Sequence, residues 1–255
     1  MMKAYVVNLP SDTARRQAME RELAATPFAD AEFVAAIDGR LMSEAELAEA
    51  FDFDAYGRRR VGRPQPGEVG CVLSHRLLWQ RIAEGGRPAI VFEDDIAFDG
   101  SWRDVLAFAD SWLATEQPRA LLLPRHFFYT HLRHAVGSGR VARPIQGFGT
   151  ECYMLNAAGA RLLLGLGRPS FIADEWDYFY SRGLDLLAFV PHPVAVNARF
   201  DSNIASRHDW QYDYDGAVRA ASNHPCVFDY IKILKRMLLR KLHLLHIYRK
   251  EPVER

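Results

Sequence analysis

The sequence predicts an α/β sandwich with a mainly parallel central sheet, and two observations carry that prediction. The runs "AYVVN" (4–8), "AIVF" (89–92) and "LLAFV" (186–190) are short and apolar without polar alternation, as in strands covered on both faces. Between such runs lie stretches with helix-start residues and helical spacing, and this alternation persists across the first two thirds of the chain. In open α/β sheets ligands bind beyond the carboxyl ends of the strands, so the residues that follow each apolar run are where function is sought.

The elements follow in order. After "AYVVN", Pro10 and Ser11 start an Arg/Glu-laced helix that reaches about Ala25. "AEFVAA" (31–36) is a second strand that turns at Asp38-Gly39, and Ser43 with Glu46 stands in capping-box register before a short helix. Residues 57–67, "GRRRVGRPQPG", mix four arginines with Gly and Pro and predict a mobile basic loop. "GEVGCVLSHRLLWQRIAE" is a helix with Val69, Leu73 and Leu77 on one stripe and Cys71, His75, Leu78 and Ile82 on the next. "AIVF" is a strand, "SWRDVLAFADSWL" a helix capped by Ser101, and "RALLLP" (119–124) a strand. An irregular His-rich segment is expected to about Gly147. Then come a strand "TECYML", a helix capped by Asn156, a short helix around "DEWDYFYSR", and "LLAFV" ending at Pro191. Residues 191–224 read as irregular, and a basic helix spans about 228–247. The organisation expected is a body over 1–224 and a basic amphipathic tail over 225–255.

With 255 residues, 49% hydrophobic and 25% charged, the chain is long enough for a sizeable core. Lys+Arg and Asp+Glu both total 32, which removes any global argument for a nucleic-acid partner. The charge is uneven, however: residues 230–255 carry +6 and the body −6. Cys71, Cys152 and Cys226 are an odd number at wide spacing, so a disulfide framework is not expected and a reducing compartment fits. The N-terminus lacks the apolar core of a signal peptide, and no run approaches the length of a membrane span. These points together predict a cytoplasmic protein.

One stretch demands a chemical explanation. "AIVFEDDIAF" sets four apolar residues against Glu93, Asp94 and Asp95, and three adjacent carboxylates at the end of a buried strand repel one another unless something positive sits beside them. In an extended segment Glu93 and Asp95 share a side and Asp94 faces the other. Carboxylate oxygens suit hard divalent cations such as Mg²⁺ and Mn²⁺, which commonly share their coordination with substrate phosphates. The plainer alternative is a solvated acidic turn. In "GEVGCVLSHRLLW", Gly67 and Gly70 permit close backbone approach, Glu68 lies in the first helical turn, and Ser74 stands next to His75. Neighbouring helical side chains diverge, so Ser74 and His75 form no triad. Neither GxGxxG nor GxxxxGK[ST] occurs.

Seven blocks in order resemble the family 25 glycosyltransferases of lipopolysaccharide and lipooligosaccharide biosynthesis, to which collagen galactosyltransferases are related. They are "VVNLPSDTARR", "AAIDGR", "GEVGCVLSHRLLW", "IVFEDDI", "GTECYMLNAAGARLLL", "DEWD" and "DSNIASR", and they cover residues 3 to about 207. The resemblance implies a GT-A-like α/β/α fold, a nucleotide-sugar donor and inversion at the anomeric carbon. It implies that Asp95, with Glu93 or Asp94, holds Mn²⁺ or Mg²⁺ on the donor diphosphate. Asn8, Arg15, Arg16, Asp38, Arg40, Glu68, Ser74, His75 and Ser202 would then lie around the donor, Arg16 or Arg40 meeting phosphate or uracil. An inverting transfer needs a base for the acceptor hydroxyl, and Asp174, then Asp177, are the candidates in "FIADEWDYFY". Here Ile172-Ala173 stand where the family's block has Pro-Val.

In the tail, Lys232, Lys235, Arg236, Arg240 and His243 share one helical face and Ile231, Leu234, Leu238 and Leu245 another. That pattern suits an anionic bilayer surface, where lipid-linked acceptors reside, and equally a helix docked on the body. The expected activity is transfer of a hexose, galactose from UDP-galactose by the family's commonest case, to a lipopolysaccharide-type acceptor at the inner membrane face. A metal-dependent phosphohydrolase and a non-catalytic sugar-binding module are the rival classes.

Overall fold

A computed structural model describes residues 2–60, 62–200, 234–235 and 237–254, and its centre is a nine-stranded sheet in the order β11-β6-β7-β9-β5-β8-β3-β1-β2. The expected strands form as β1 (Lys3–Asn8), β2 (Glu32–Ala35), β3 (Ala89–Glu93), β5 (Arg119–Leu122), β8 (Cys152–Leu155) and β9 (Asp185–Val190). β1 pairs in parallel with β2 and β3, and β5 with β9, while β8 runs antiparallel between β3 and β5. The expected α/β/α sandwich is therefore present, with β1, β2, β3, β5, β6 and β9 running one way and β7, β8 and β11 the other.

Alternate strand residues face two apolar layers. Tyr5, Val7, Val91, Tyr153 and Leu155 meet α2 (Glu44–Ala50), α4 (Pro66–Gly85), α6 (Ala157–Gly165) and α7 (Trp176–Ser181) on one side. Ala4, Val6, Ile90, Phe92 and Met154 meet α1 (Thr13–Ala24) and α5 (Arg103–Leu113) on the other. The helix starts show the expected chemistry. Ser43 and Glu46 cap α2 reciprocally, and the Asn156 side chain accepts from Gly159 N at 2.8 Å. For α1 the cap is Asp12, which accepts from Arg15 N, one residue beyond Ser11. At α5 the N-cap position is Trp102, which makes no side-chain cap bond, and the expected Ser101 lies one residue before it, its hydroxyl accepting from Arg103 N at 3.4 Å.

Four sequence expectations are corrected. The His-rich segment is a hairpin of β6 (His126–Val136) and β7 (Gly139–Phe148), turning at Gly137, whose φ of 55° favours glycine. Three register shifts interrupt its alternation, and Pro144 with its several histidines disguises it further. The loop after α3 (Phe53–Gly57) is tied down, since Arg59 and Arg60 both reach Glu175. In α4 the buried stripe runs through Val69, Val72, Leu78, Trp79 and Ile82, whereas Leu77 is exposed. The basic helix does not extend to 247: residues 234–235 and 237–241 are helical, but β11 (His246–Arg249) pairs antiparallel with β6 as the sheet edge. Aromatic packing of Tyr248 on Phe127 and His192 draws this segment into the body, and β10 (Val194–Val196), which pairs with β4 (Ile96–Phe98), leads to a bridge between Asn197 and Val253.

Candidate active site

The carboxyl ends of β1, β2 and β3 open into a cleft of about 630 Å³, walled on one side by the N-terminal half of α4. Its shape depends on two glycines. A Cβ on Gly70 would lie 2.4 Å from Gly39 N, and one on Gly39 would lie 1.8 Å from Pro66 O, so only bare backbone allows the turn after β2 to lie on α4. Ser74 ties the same junction, donating to Gly70 O at 2.7 Å and accepting from Ile37 N at 2.8 Å. Its hydroxyl is thus engaged in the wall.

The acidic triplet forms the cleft floor. β3 ends at Glu93, and Asp94-Asp95 make the turn into β4. The positive group beside them is Arg15, whose side chain is 7% exposed and whose Nη1 lies 2.8 Å from Asp94 Oδ1 and 3.4 Å from Asp95 Oδ2. Asn8 Nδ2 donates to Asp94 Oδ2 at 2.6 Å, so Asp94 is held from both sides. Burial nonetheless raises Asp94 above its usual carboxylate range. For Asp95, burial and the neighbouring Glu93 outweigh Arg15 and lift the carboxyl to about 7. Its Oδ1 is buried without a hydrogen-bond partner. A crowded carboxylate that lines the cleft and has one unsatisfied oxygen has the chemistry a hard cation needs, and the residues present fit one.

Glu93 faces away from Asp94, toward Thr150 Oγ1, which donates to it, and toward His75 Nε2 at 3.6 Å. Burial opposes its ionisation, but His75 and Thr150 prevail and hold it below its usual range. His75 Nδ1 lies 2.9 Å from the Tyr153 hydroxyl, which also accepts from Trp79 Nε1 at 3.0 Å. Tyr153, Trp79 and His75 are all buried, so this chain of contacts anchors the floor to the core.

Asp174 sits next to that floor. Gly149 N donates to Asp174 Oδ2 at 3.0 Å, and the following residue, Thr150, holds Glu93. Burial raises the Asp174 carboxyl to about 6 against the pull of that N–H. Glu175 plays a structural part: it is 2% exposed, accepts from Arg59 at 2.8 Å and Arg60 at 3.1 Å, and its other oxygen accepts from Ile172 N. Asp177 faces Arg60 at 3.7 Å.

The structure thus gathers Asn8, Arg15, Asp38, Arg40, Ser74, His75, Glu93, Asp94 and Asp95 at or beside one cleft, with Asp174 and Asp177 on an adjoining segment. Arg40 forks onto Asp38 through two 2.7 Å contacts, and Asp38 falls below its usual range as a result. Two expected donor contacts lie elsewhere. Arg16 is on the exposed face of α1, bonded to Glu20 at 3.0 Å and 4.5 Å from the Phe33 ring centre. Glu68 closes the N-terminus of α4 by accepting from Gln65 N at 2.7 Å. Ser202 is outside the described residues.

Sequence reasoning missed Thr150, Glu151 and Tyr153. Glu151 joins the acidic floor because its backbone carbonyl accepts from Glu93 N, and burial next to Glu93 pushes its carboxyl well above the usual range. The signal available was "TECY" entering a strand opposite "FEDD", which is informative only once β3 and β8 are known to pair.

A family model described as glycosyltransferase family 25 (LPS biosynthesis protein) matches residues 1–175. Among named relatives, the Acanthamoeba polyphaga mimivirus protein named "Putative glycosyltransferase R655" is 34% identical over 109 residues, covering 42% of this chain and 32% of that one. Procollagen galactosyltransferase 1 of Danio rerio is 32% identical over 101 residues, 38% of this chain and 17% of its own. The human protein named inactive glycosyltransferase 25 family member 3 is 28% identical over 252 residues, 83% of this chain and 40% of its own. The match spans well under two thirds of each relative's length. Resting on the family match across more than half of its length, the chain belongs to glycosyltransferase family 25.

Proposed function

We propose that this chain is an inverting, metal-assisted hexosyltransferase that takes a nucleotide sugar, UDP-galactose first, and glycosylates a lipopolysaccharide-type or other cell-surface glycan acceptor. The observation that carries the reading is Asp95: a half-buried carboxyl with one buried, unpartnered oxygen, at the carboxyl end of β3, in a cleft also lined by Asp38 and Arg40. A Mn²⁺ or Mg²⁺ held by Asp95 with Glu93 or Asp94 would offset the charge of the donor diphosphate. Arg15 keeps the carboxylates in place before any ligand arrives, and Arg40, paired with Asp38 at the rim, is positioned to exchange that partner for a donor phosphate.

Asp174 is the proposed base. Gly149 N–H fixes one of its oxygens, and a carboxyl near 6 is ionised at neutral pH yet basic enough to accept the acceptor hydroxyl's proton. As that proton moves, the acceptor oxygen bonds to the anomeric carbon, and the electron pair of the breaking bond leaves with the nucleoside diphosphate. Asp177, facing Arg60, is the second candidate.

The acceptor side draws on the tail. Among the described residues no helix is long and apolar enough to cross a membrane. Leu234, Met237, Leu238, Leu242, Leu244 and Ile247 are nevertheless exposed in the basic tail, a combination suited to peripheral contact with an anionic cytoplasmic leaflet.

The test incubates the purified full chain with Mn²⁺ and a panel of nucleotide sugars, following nucleoside diphosphate release with and without an oligosaccharide acceptor. Acceptor-stimulated release supports the proposal. Release of inorganic phosphate without sugar transfer would favour a phosphohydrolase, and donor binding without turnover a sugar-binding module.

A further inference from the structure

A second ligand set lies in the same floor, on the side away from Asp94. Cys71 and His75 stand four residues apart on α4 and therefore share one helical face, and that face looks onto Glu93 at the end of β3. Cys71 Sγ, a His75 ring nitrogen and a Glu93 oxygen all lie within 4.8 Å of one another. His75 is 1% exposed, and its Nε2 is buried with no hydrogen bond within normal length, Glu93 Oε1 standing 3.6 Å away. A buried ring nitrogen aimed at a thiol and a carboxylate is costly to leave unsatisfied.

We infer that Cys71, His75 and Glu93 form a zinc site in the cleft floor, with the fourth coordination position open to the cleft. One thiolate, one imidazole and one carboxylate suit borderline-soft Zn²⁺ better than Mn²⁺ or Mg²⁺, which favour oxygen alone. Bond lengths near 2.1 Å in a tetrahedron put neighbouring N and O ligands about 3.4 Å apart, close to the 3.6 Å between His75 Nε2 and Glu93 Oε1. On binding, the Cys71 thiol loses its proton to solvent as the Zn–S bond forms.

The surrounding contacts already orient the ligands. His75 Nδ1 meets the Tyr153 hydroxyl at 2.9 Å, a partner for the ring's other N–H that leaves the Nε2 lone pair for a metal. The Thr150 hydroxyl touches both the Cys71 thiol and Glu93. All three ligands line the cleft, so three protein ligands and one open position is the arrangement presented. Asp95 takes no part, and with Glu93 engaged here Asp94 is left to join Asp95 at the proposed donor-metal site; the inference stands whether or not the chain transfers sugar.

The experiment titrates the metal-free full chain with Co²⁺ as a spectroscopic stand-in and then adds Zn²⁺. Expected are a thiolate-to-cobalt charge-transfer band with visible bands of four-coordinate cobalt at one equivalent, and their loss as Zn²⁺ displaces Co²⁺. Cys71→Ser is expected to abolish the charge-transfer band, while Asp95→Asn and Cys152→Ser keep it. Thr150→Val is expected to weaken Zn²⁺ binding about tenfold to a hundredfold. If Cys71→Ser does not fold by circular dichroism, His75→Gln serves instead and is expected to lose four-coordinate binding. Absence of the band in the wild type, or a band unchanged in Cys71→Ser or His75→Gln, overturns the inference. Mn²⁺-dependent donor turnover is read separately, so either result is attributable.

Discussion

Arg15 Nη1 lies 2.8 Å from Asp94 Oδ1 and 3.4 Å from Asp95 Oδ2, so one buried guanidinium from the first helix serves as internal counterion to two carboxylates at the end of the third strand. Breaking such a set leaves buried charge uncompensated. Arg15→Gln should lower stability by about 3 kcal/mol at pH 8 and by less at pH 5, where Asp94 and Asp95 are more fully protonated. Arg15→Lys should recover little, because a point charge does not reproduce the fork that reaches both acids and Asp12. Urea unfolding at the two pH values measures this, and equal losses at both would contradict the counterion role.

Asp95 supplies the pH dependence of the metal-free protein. Its carboxyl titrates near 7 in the fold and near 3.9 in an unfolded chain. Between those values the native state keeps a proton that the unfolded state has lost, so this group's contribution to stability is full below pH 4 and fades as pH rises to 7. Asp95→Asn should remove that decline and exceed the wild type by up to about 4 kcal/mol at pH 8 while matching it near pH 4. It should also abolish transfer. A variant no more stable than wild type at pH 8 would show that Arg15 already satisfies Asp95.

For Asp174 the expected signature is kinetic. At saturating Mn²⁺, kcat/KM should climb with pH through about 6 as the base ionises, then level off. Asp174→Asn should cost about 10²- to 10⁴-fold in kcat and flatten that limb, with donor binding retained. If Asp177→Asn removes the limb and Asp174→Asn does not, the base assignment passes to Asp177.

The glycine junction makes a contrast within one helix. Gly70→Ala forces a methyl against Gly39 N and Ile37 O, at 2.4 and 2.5 Å, and should destabilise by about 3 kcal/mol and weaken donor affinity by moving the cleft wall. Gly85→Ala, with open space around its Cβ position, should be neutral or stabilise by up to about 1 kcal/mol. Thermal melts of the two variants decide the matter.

Local chemistry made much of this protein legible in advance. Short apolar runs became β1, β3 and β9, Ser43 and Asn156 became caps, and the sequence "FEDD" announced charge at a strand end, because each is settled by neighbours in the chain. The irregular β6–β7 hairpin and the edge strand β11 were not legible, since bulges hide the alternation and a tail strand is defined only by the partner it meets. The same limit holds within the site. Sequence alone determined that three carboxylates at residues 93–95 need positive company. Only the tertiary structure decided that Arg15 provides it, that Arg16 lies outside, and that Glu93 turns toward His75 and Cys71, because these pairings join residues far apart in the chain through packing across the sheet.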